Sequence, residues 1–452
     1  FFTKKFNIID MRLSKYYSFT LKENPSDAYL VSHKLMLRAG MIKQATSGIY
    51  TWLPLGLKVL NKIKDLIRIA HIKNDVYEIL MPTIQPSDIW IKSGRYDDYG
   101  KEMLKISDRN DNELLYGPTN EEMITDLVSN DIKSYKDLPK LLFHVQWKFR
   151  DEIRPRFGVM RCREFLMKDA YSFDLDYENS YYSYCKMFIL YMKIFKLLGL
   201  KIIPVKAASG PIGGALSHEF ILETSSGETQ IFYDKRVFDH DVSNVNLTNK
   251  TDAIVATENI LSLYSRTSEK HDLSVFKNTV ESQNQIISNG IEVGHIFYFG
   301  TKYSEAFNAN YINNKGSKEL IHSGSYGIGV SRLVAAIIEA NNDDRGIKWP
   351  KKVTPYDIGL INVRSDNDTC NCFSENFYKK FSKKYEVIYD DRNVRVGDKF
   401  HNMDLLGIPL QIIVGEKNLL NSNIEIKERV TGKSELININ KVESYLEYKC
   451  EF

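Results

Sequence analysis

The period of the hydrophobic positions changes several times along the chain. Over 56–73, Leu60, Ile63, Ile67 and Ala70 recur at helical spacing and predict a helix. A shorter amphipathic pattern predicts a helix over 27–43, and 77–81 predicts a strand stopped by Pro82. Residues 143–152 alternate strictly, with Phe143, Val145, Trp147 and Phe149 on one face and His144, Gln146, Lys148, Arg150 and Glu152 on the other. Residues 163–173 predict the returning strand, so the two make an antiparallel hairpin with a long, arginine-bearing tip. Further helices are predicted over 181–198, with Tyr184, Phe188, Tyr191, Met192 and Phe195 as the packing stripe, and over 330–340; a strand is predicted over 291–299. Between them, 238–290 shifts toward Asn, Ser, Thr and Lys and reads as an insertion too small for a large domain of its own.

Trp349-Pro350 and Thr354-Pro355 mark a linker, after which strands (357–363, 386–389, 410–415) alternate with helices (373–385, 398–406) before a hairpin turning at Thr431-Gly432-Lys433. This order predicts a small α/β domain over 351–452, following a larger domain over 11–350. Residues 1–10 lack the apolar core of a secretory signal and are assigned no role.

Composition narrows the field. A chain of 452 residues, 43% hydrophobic and 26% charged, is long enough for two or three domains and excludes collagen-like, coiled-coil or disordered classes. No apolar run approaches the ~18 residues of a membrane helix. A net charge of +3 excludes a polycation, so a nucleic-acid partner would need local basic patches. The five cysteines include no CxxC pair, which argues against a disulfide framework or a cysteine zinc site and favours a reducing, cytoplasmic setting.

Two segments carry chemistry. Arg150 and Glu152 leave one strand in the same direction, and Arg161 and Arg163 return on the partner with Phe165 beside them. Arginine forks clamp anionic oxygens, a carboxylate reads an amino group, and a ring stacks on a base, so the set suits a purine nucleotide. The competing reading is an exposed hairpin with surface ion pairs; arginines at 150, 154, 156, 161 and 163 count against it. The second segment, Gly327-Ile328-Gly329-Val330-Ser331-Arg332, lacks the third glycine of a dinucleotide fingerprint. It fits a close approach of backbone to ligand, with Arg332 in the first helical turn reaching phosphate.

Together these segments resemble the signature motifs of class II aminoacyl-tRNA synthetases, the first motif being the helix and the strand that ends at Pro82. Finer blocks resemble the prolyl-tRNA synthetase family: Ser47-Gly48-Ile49-Tyr50, Gly117-Pro118-Thr119-Asn120-Glu121-Glu122, Gly210-Pro211-Ile212-Gly213-Gly214, Ser217-His218-Glu219-Phe220 and Glu292-Val293-Gly294-His295. The resemblance implies an α+β catalytic domain, an antiparallel sheet flanked by helices, plus a C-terminal α/β anticodon-binding domain. It implies ATP-dependent ligation of proline to its tRNA through prolyl-adenylate, with ATP as substrate, Mg2+ accompanying it, and a homodimer. Arg150 and Arg332 would be catalytic; Glu152, Arg161 and Phe165 would complete the ATP site. Thr119, Glu121, Arg150, His218 and Ser325 would hold proline, the Thr119/Glu121 pair accepting both protons of its secondary ammonium from an extended segment. Arg154 and Arg156 would meet the acceptor stem; Arg392, Arg395 and Lys399 would meet the anticodon. No protein metal ligands are named.

There are departures. Ser325 stands where many bacterial relatives carry cysteine, and Val396 replaces a proline in the segment 390–397. The variable stretch 238–290 is far shorter than the editing domain of long bacterial forms, so hydrolytic editing within the chain is not expected. The alternatives are a sister synthetase for threonine, serine or histidine, and a catalytically silent paralogue; the retained Thr119, Glu121, Arg150, Glu152 and Arg332 oppose the last.

Overall fold

The computed structural model describes residues 11–17, 19–26 and 28–450, without the side chain of Pro211; the segment 1–10 lies outside the described residues. The chain divides into two compact units, one formed by residues through Ala45, by Thr51–Lys62 and from Ile337 onward, the other by Thr46–Tyr50 and Ile63–Ala336. Compactness therefore divides the chain within the helix Val330–Ala340, whereas the sequence suggests a domain start at 351.

The larger unit is organised by a nine-stranded sheet. The hairpin strands Lys140–Phe149 and Glu164–Asp174 pair antiparallel from Lys140↔Phe173 to Phe149↔Glu164. The sheet continues through His322–Gly329 and the long strand Gln285–Gly300. On its other side that long strand pairs first with Thr229–Asp234 and then with Leu216–Glu223. Ile202–Lys206 and Ser265–Thr267 join those two in turn, so five strands close on themselves in a ring. The helix Tyr177–Leu197 covers one face, its first turn capped by Asp176, whose carboxylate accepts from Asn179 N–H. The expected stripe is buried except for Met192, and Cys185, Met187 and Ile189 are buried besides.

The 238–290 stretch packs on the outer side of this helix. Its helix Lys250–Leu261 lies against Tyr177–Leu197, with Thr257 Oγ1 donating to Cys185 O at 3.3 Å and Tyr182 OH to Leu247 O at 2.8 Å. Its strand Ser265–Thr267 completes the ring, and a small cluster of Tyr264, Phe276 and Val280 fills the remaining corner. The stretch forms no separate body.

In the smaller unit, Val387–Asp390, Ile358–Asn362 and Leu410–Val414 run parallel, and Asn423–Glu428 and Ser434–Asn438 add antiparallel strands. Helices Asp368–Phe381 and Val442–Cys450 pack Phe377, Phe381 and Leu446 against Leu360 and Ile412. The first helix spans only Val31–Arg38, against the expected 27–43. Gly40, at φ +61°, ends it: Gly40 N–H reaches Leu37 O at 3.1 Å and Met41 N–H reaches Met36 O at 2.9 Å, a Schellman stop that hydrophobic periodicity runs straight through.

Candidate active site

The register of the central strands decides which side chains share a face, because directly paired residues point the same way. His144 pairs with Asp169, Asp169 with Gly327, and Gly327 with His295. One face therefore carries His144, Gln146 and Lys148; Phe165, Met167 and Asp169; Ser325 and Gly327; and His295 and Phe297. A cavity of about 420 Å³ opens on this face, lined by Thr119, Glu121, Arg150, Asp169, Glu292 and Ser325 among others. The polar row of the hairpin strand is its deeper row: His144 and Lys148 are fully buried. Charge there is matched, since Lys148 Nζ lies 2.7 Å from Asp169 and also donates to Asn120, while His144 Nε2 is 3.3 Å from the same carboxylate. Burial disfavours the Asp169 anion, but the Lys148 charge and the His144 hydrogen bond outweigh it and hold its pKa well below the usual range.

At one end of the cavity Glu121 opens the helix Glu121–Asp131, where the positive helix terminus favours a carboxylate. The extended segment expected there is instead a turn into this helix, yet Thr119 Oγ1 donates to Glu121 Oε2 at 2.6 Å. Ser325 Oγ donates to Glu121 Oε1 at 2.9 Å, so both oxygens are pinned. Arg95, buried on the faces of Trp90, Tyr99 and Tyr303, lies 3.3 Å from Glu121 and 2.9 Å from Glu122. Burial pushes Glu122 up to about 7 despite this arginine.

At the other end arginines converge. Arg150 Nε donates to Pro118 O at 3.2 Å, and its guanidinium lies 5.4 Å from the centre of the Phe165 ring. Arg332 donates to Met160 O at 2.9 Å and Glu292 O at 2.7 Å, with the Glu292 carboxylate 3.5 Å away. A β-bulge brings Glu292 here: Phe220 pairs with Gly294 and Ile221 with Glu292, leaving Val293 unpaired. The extra residue turns Glu292 onto the face of His295, whose Nδ1 is 3.4 Å from it. Burial opposes the Glu292 charge, but the His295 hydrogen bond and then Arg332 and Arg150 hold it at about 2. Nearby Glu219 is pushed up to about 8 by burial, then by Glu292 and Glu269. In the hairpin tip, Arg161 is shared between Glu152 at 3.0 Å and Glu228 at 2.8 Å, and Arg163 pairs with Asp151 at 2.6 Å. The tip is braced by Gly48, whose carbonyl accepts from Arg163 N–H at 2.7 Å; a Cβ there would meet Pro155 Cβ at 2.6 Å.

Comparison with known proteins bears on this site directly. Residues 104–341 match the family described as tRNA synthetase class II core domain (G, H, P, S and T), and residues 357–449 match the anticodon binding domain. The chain is 53% identical over 435 residues to the proline–tRNA ligase of Bartonella henselae, covering 96% of this chain and 98% of that one. It is 52% identical over 430 residues to the enzyme of that name from Azorhizobium caulinodans, with 94% and 98% covered. For Cereibacter sphaeroides the figures are 50% over 428 residues, with 94% and 96% covered. The chain belongs to the proline–tRNA ligase family. These proline–tRNA ligases match it nearly end to end, and a chain of this length leaves no room for a full editing insertion.

Within this family frame, the residues expected from sequence fall into three groups. Thr119, Glu121, Arg150 and Ser325 line one cavity, and Arg332 and Phe165 flank it through Glu292 and Arg150. Glu152 and Arg161 stand together in the hairpin tip, tied to each other. His218 is corrected: it pairs with Ile296, on the helix-covered face opposite His295, where it meets Tyr184 OH at 2.5 Å. Burial, then Arg266 and Lys206, push its pKa down to about 3. Its neighbours Ser217 and Glu219 take the cavity side, Ser217 Oγ lying 2.8 Å from His295 Nε2. Lys399 is likewise corrected. It is 1% exposed, donating to Asn362 O at 2.6 Å inside the smaller unit, and offers nothing to RNA. Arg392 is held by Asp390 at 2.7 Å, whereas Arg395 is exposed. Arg154 is exposed, and Arg156 is paired with Glu228 at 2.6 Å.

Sequence reading missed Arg95, Lys148 and Asp169. Lys148 stood in the alternating polar row and Asp169 beside it on the returning strand, a signal that matched faces would have supplied. Arg95, in an unremarked stretch, had none.

Proposed function

We propose that this chain activates proline with ATP and transfers it to the 3′ end of its tRNA, and that the cavity on the central sheet is where both steps occur. The observation that carries the reading is the joining, in one cavity, of the doubly anchored Glu121 carboxylate with Arg150, and with Arg332 beside it on Glu292. Thr119 donates its hydroxyl proton to Glu121, which leaves its own lone pairs for an incoming N–H. A secondary ammonium has two protons, one for Thr119 and one for Glu121, and the Glu121 charge balances its own. Ser325 fixes the carboxylate at the depth where a five-membered ring closes the space against Phe297 and Met167.

Adenylate formation is attack by the proline carboxylate on the α-phosphorus, with pyrophosphate leaving. The pentavalent transition state gathers negative charge on the α-phosphoryl oxygens, and fixed cations stabilise it without covalent catalysis. Arg150 is the cation at that point. Arg332 and Arg161 hold the outer phosphates, Phe165 stacks on adenine, and Glu152 reads its amino group once Arg161 exchanges carboxylate for phosphate. Among the described residues no three His, Cys, Asp or Glu cluster as a metal cage. Magnesium brought by ATP needs only one or two carboxylates besides phosphate and water, and Glu292, held ionised beside Arg332, fits that need. Bound there, it would screen charge on the phosphates. Arg154 and Arg156 would meet the acceptor stem and Arg395 the anticodon. We further propose a homodimer working in the cytoplasm; no helix among the described residues is long and apolar enough to cross a membrane.

The test is ATP–pyrophosphate exchange across the amino acids, followed by charging of the matching tRNA. Proline should support both. Exchange with threonine or histidine but not proline would overturn the reading. Arg150→Ala should abolish exchange while leaving tRNA affinity within about twofold, because phosphate contacts spread over the rest of the surface dominate that affinity.

A further inference from the structure

The edge of the parallel sheet in the smaller unit is closed by residues far away in sequence. Leu13 N–H donates to Tyr389 O at 2.8 Å and Tyr389 N–H to Met11 O at 2.9 Å, so the segment around Arg12 adds a parallel rung to the strand Val387–Asp390. Arg12 locks this rung: both its terminal nitrogens reach Glu375, at 2.5 and 2.8 Å, and its guanidinium lies 5.1 and 5.2 Å from the ring centres of Tyr378 and Tyr389. The segment then follows the loop that leaves the strand. Ser14 gives both N–H, at 3.0 Å, and Oγ–H, at 2.6 Å, to Asp391; Thr20 Oγ1 donates to Asn402 at 2.9 Å; Lys22 Nζ lies 2.7 Å from Asp398.

We propose that residues 11–17 and 19–22 act as a strap that positions the loop 391–395 for tRNA, with Ser14 and Lys22 as its positioning residues. The inference rests on the reading of this domain as the one that binds the anticodon, and deepens it. Two observations support it. First, the loop is gripped at both ends by the strap, at Asp391 and at Asp398, while Asn393, Val394 and Arg395 between them are exposed. Second, the gripped groups are carboxylates. Lys22 offsets the charge of Asp398, which neighbours Arg395, while Ser14, a neutral donor, fixes where the Asp391 carboxylate points. On a surface that must receive a polyanion, this leaves Arg395 less compensated by its own neighbours and more open to an approaching phosphate.

The experiment uses the full chain and compares wild type with Ser14→Ala/Lys22→Ala and with Ser14→Thr/Lys22→Arg. Proline-dependent ATP–pyrophosphate exchange reports the distant cavity, and steady-state charging reports KM and kcat for tRNA. The alanine pair should raise KM for tRNA about tenfold, the value of roughly 1.4 kcal/mol of lost positioning, with kcat and exchange unchanged. The Thr/Arg pair should restore KM, since each keeps its donor. An unchanged KM in the alanine pair overturns the proposal, as does a parallel fall in exchange, which would mean general loss of folding. If wild type fails to form prolyl-tRNA, the functional reading falls instead, so the two failures are separable.

Discussion

Asp174 closes the hairpin strand Glu164–Asp174 beneath the helix Tyr177–Leu197, where Ser183 Oγ donates to it at 2.8 Å. Burial, helped by Asp176, outweighs its serine donors and pushes its pKa from an ordinary 3.8 to about 7. Between those values the folded chain keeps a proton that the unfolded chain has released, so stability falls as pH rises and levels off once the folded group also ionises. About three pH units at 1.36 kcal/mol each make about 4 kcal/mol the ceiling of the effect. Asp174→Asn keeps the shape and the acceptor but cannot ionise. Unfolding temperatures of both proteins, measured by scanning calorimetry from pH 4.5 to 8.5, should diverge. The variant should gain on wild type by several degrees between pH 4.5 and 7, with a constant gap above that. Other titrating groups cancel in the comparison. A difference independent of pH would show that Asp174 ionises normally, and a variant that loses ground to wild type as pH rises would show a lowered pKa; either refutes the argument.

Three further outcomes follow from the cavity. Thr119→Val removes a donor to a charged carboxylate, worth about 1.5–3 kcal/mol, and should lower kcat/KM for proline about 10- to 100-fold while KM for ATP holds. Glu219 becomes anionic above about pH 8 close to the phosphate end, so KM for ATP should rise through that pH in wild type and stay flat in Glu219→Gln. Lys148→Met strands the buried Asp169 charge and should cost about 3–5 kcal/mol of stability, with most of it recovered in Lys148→Met/Asp169→Asn. Equal stability of the single and double variants would refute that pairing.

Local periodicity proved legible wherever one face of an element packs. The helix over 330–340 and the pairing of the hairpin strands were readable because Val330, Leu333 and Phe143 announce their burial, whereas the register of that pairing was not. The motifs drew attention to Arg150 and Glu152, but the strand expected to run to 152 ends at Phe149, so the two do not alternate on it and Glu152 stands in the tip with Arg161. What stayed hidden needs three dimensions. Strict alternation places His218 correctly within its own strand, but only the pairing with Ile296 tells which face is the cavity's. Lys399 reads as one more loop cation until the sheet beneath it supplies Asn362 O. The bulge at Val293, which presents Glu292, has no sequence signal, because an unpaired residue is defined by its partner strand. The same holds for Arg95, whose role depends on three aromatic rings brought from separate segments.

The closed ring of strands gives the 238–290 stretch a different standing from an ordinary surface loop. Ser265–Thr267 is the keystone between Ile202–Lys206 and Thr229–Asp234, so cutting it out would bare two hydrogen-bonding edges at once and invite sticking between copies. A graft of a larger module into this stretch would have to leave that strand intact, as in the exposed segments that flank the helix Leu273–Thr279, while cutting the strand out would open the ring.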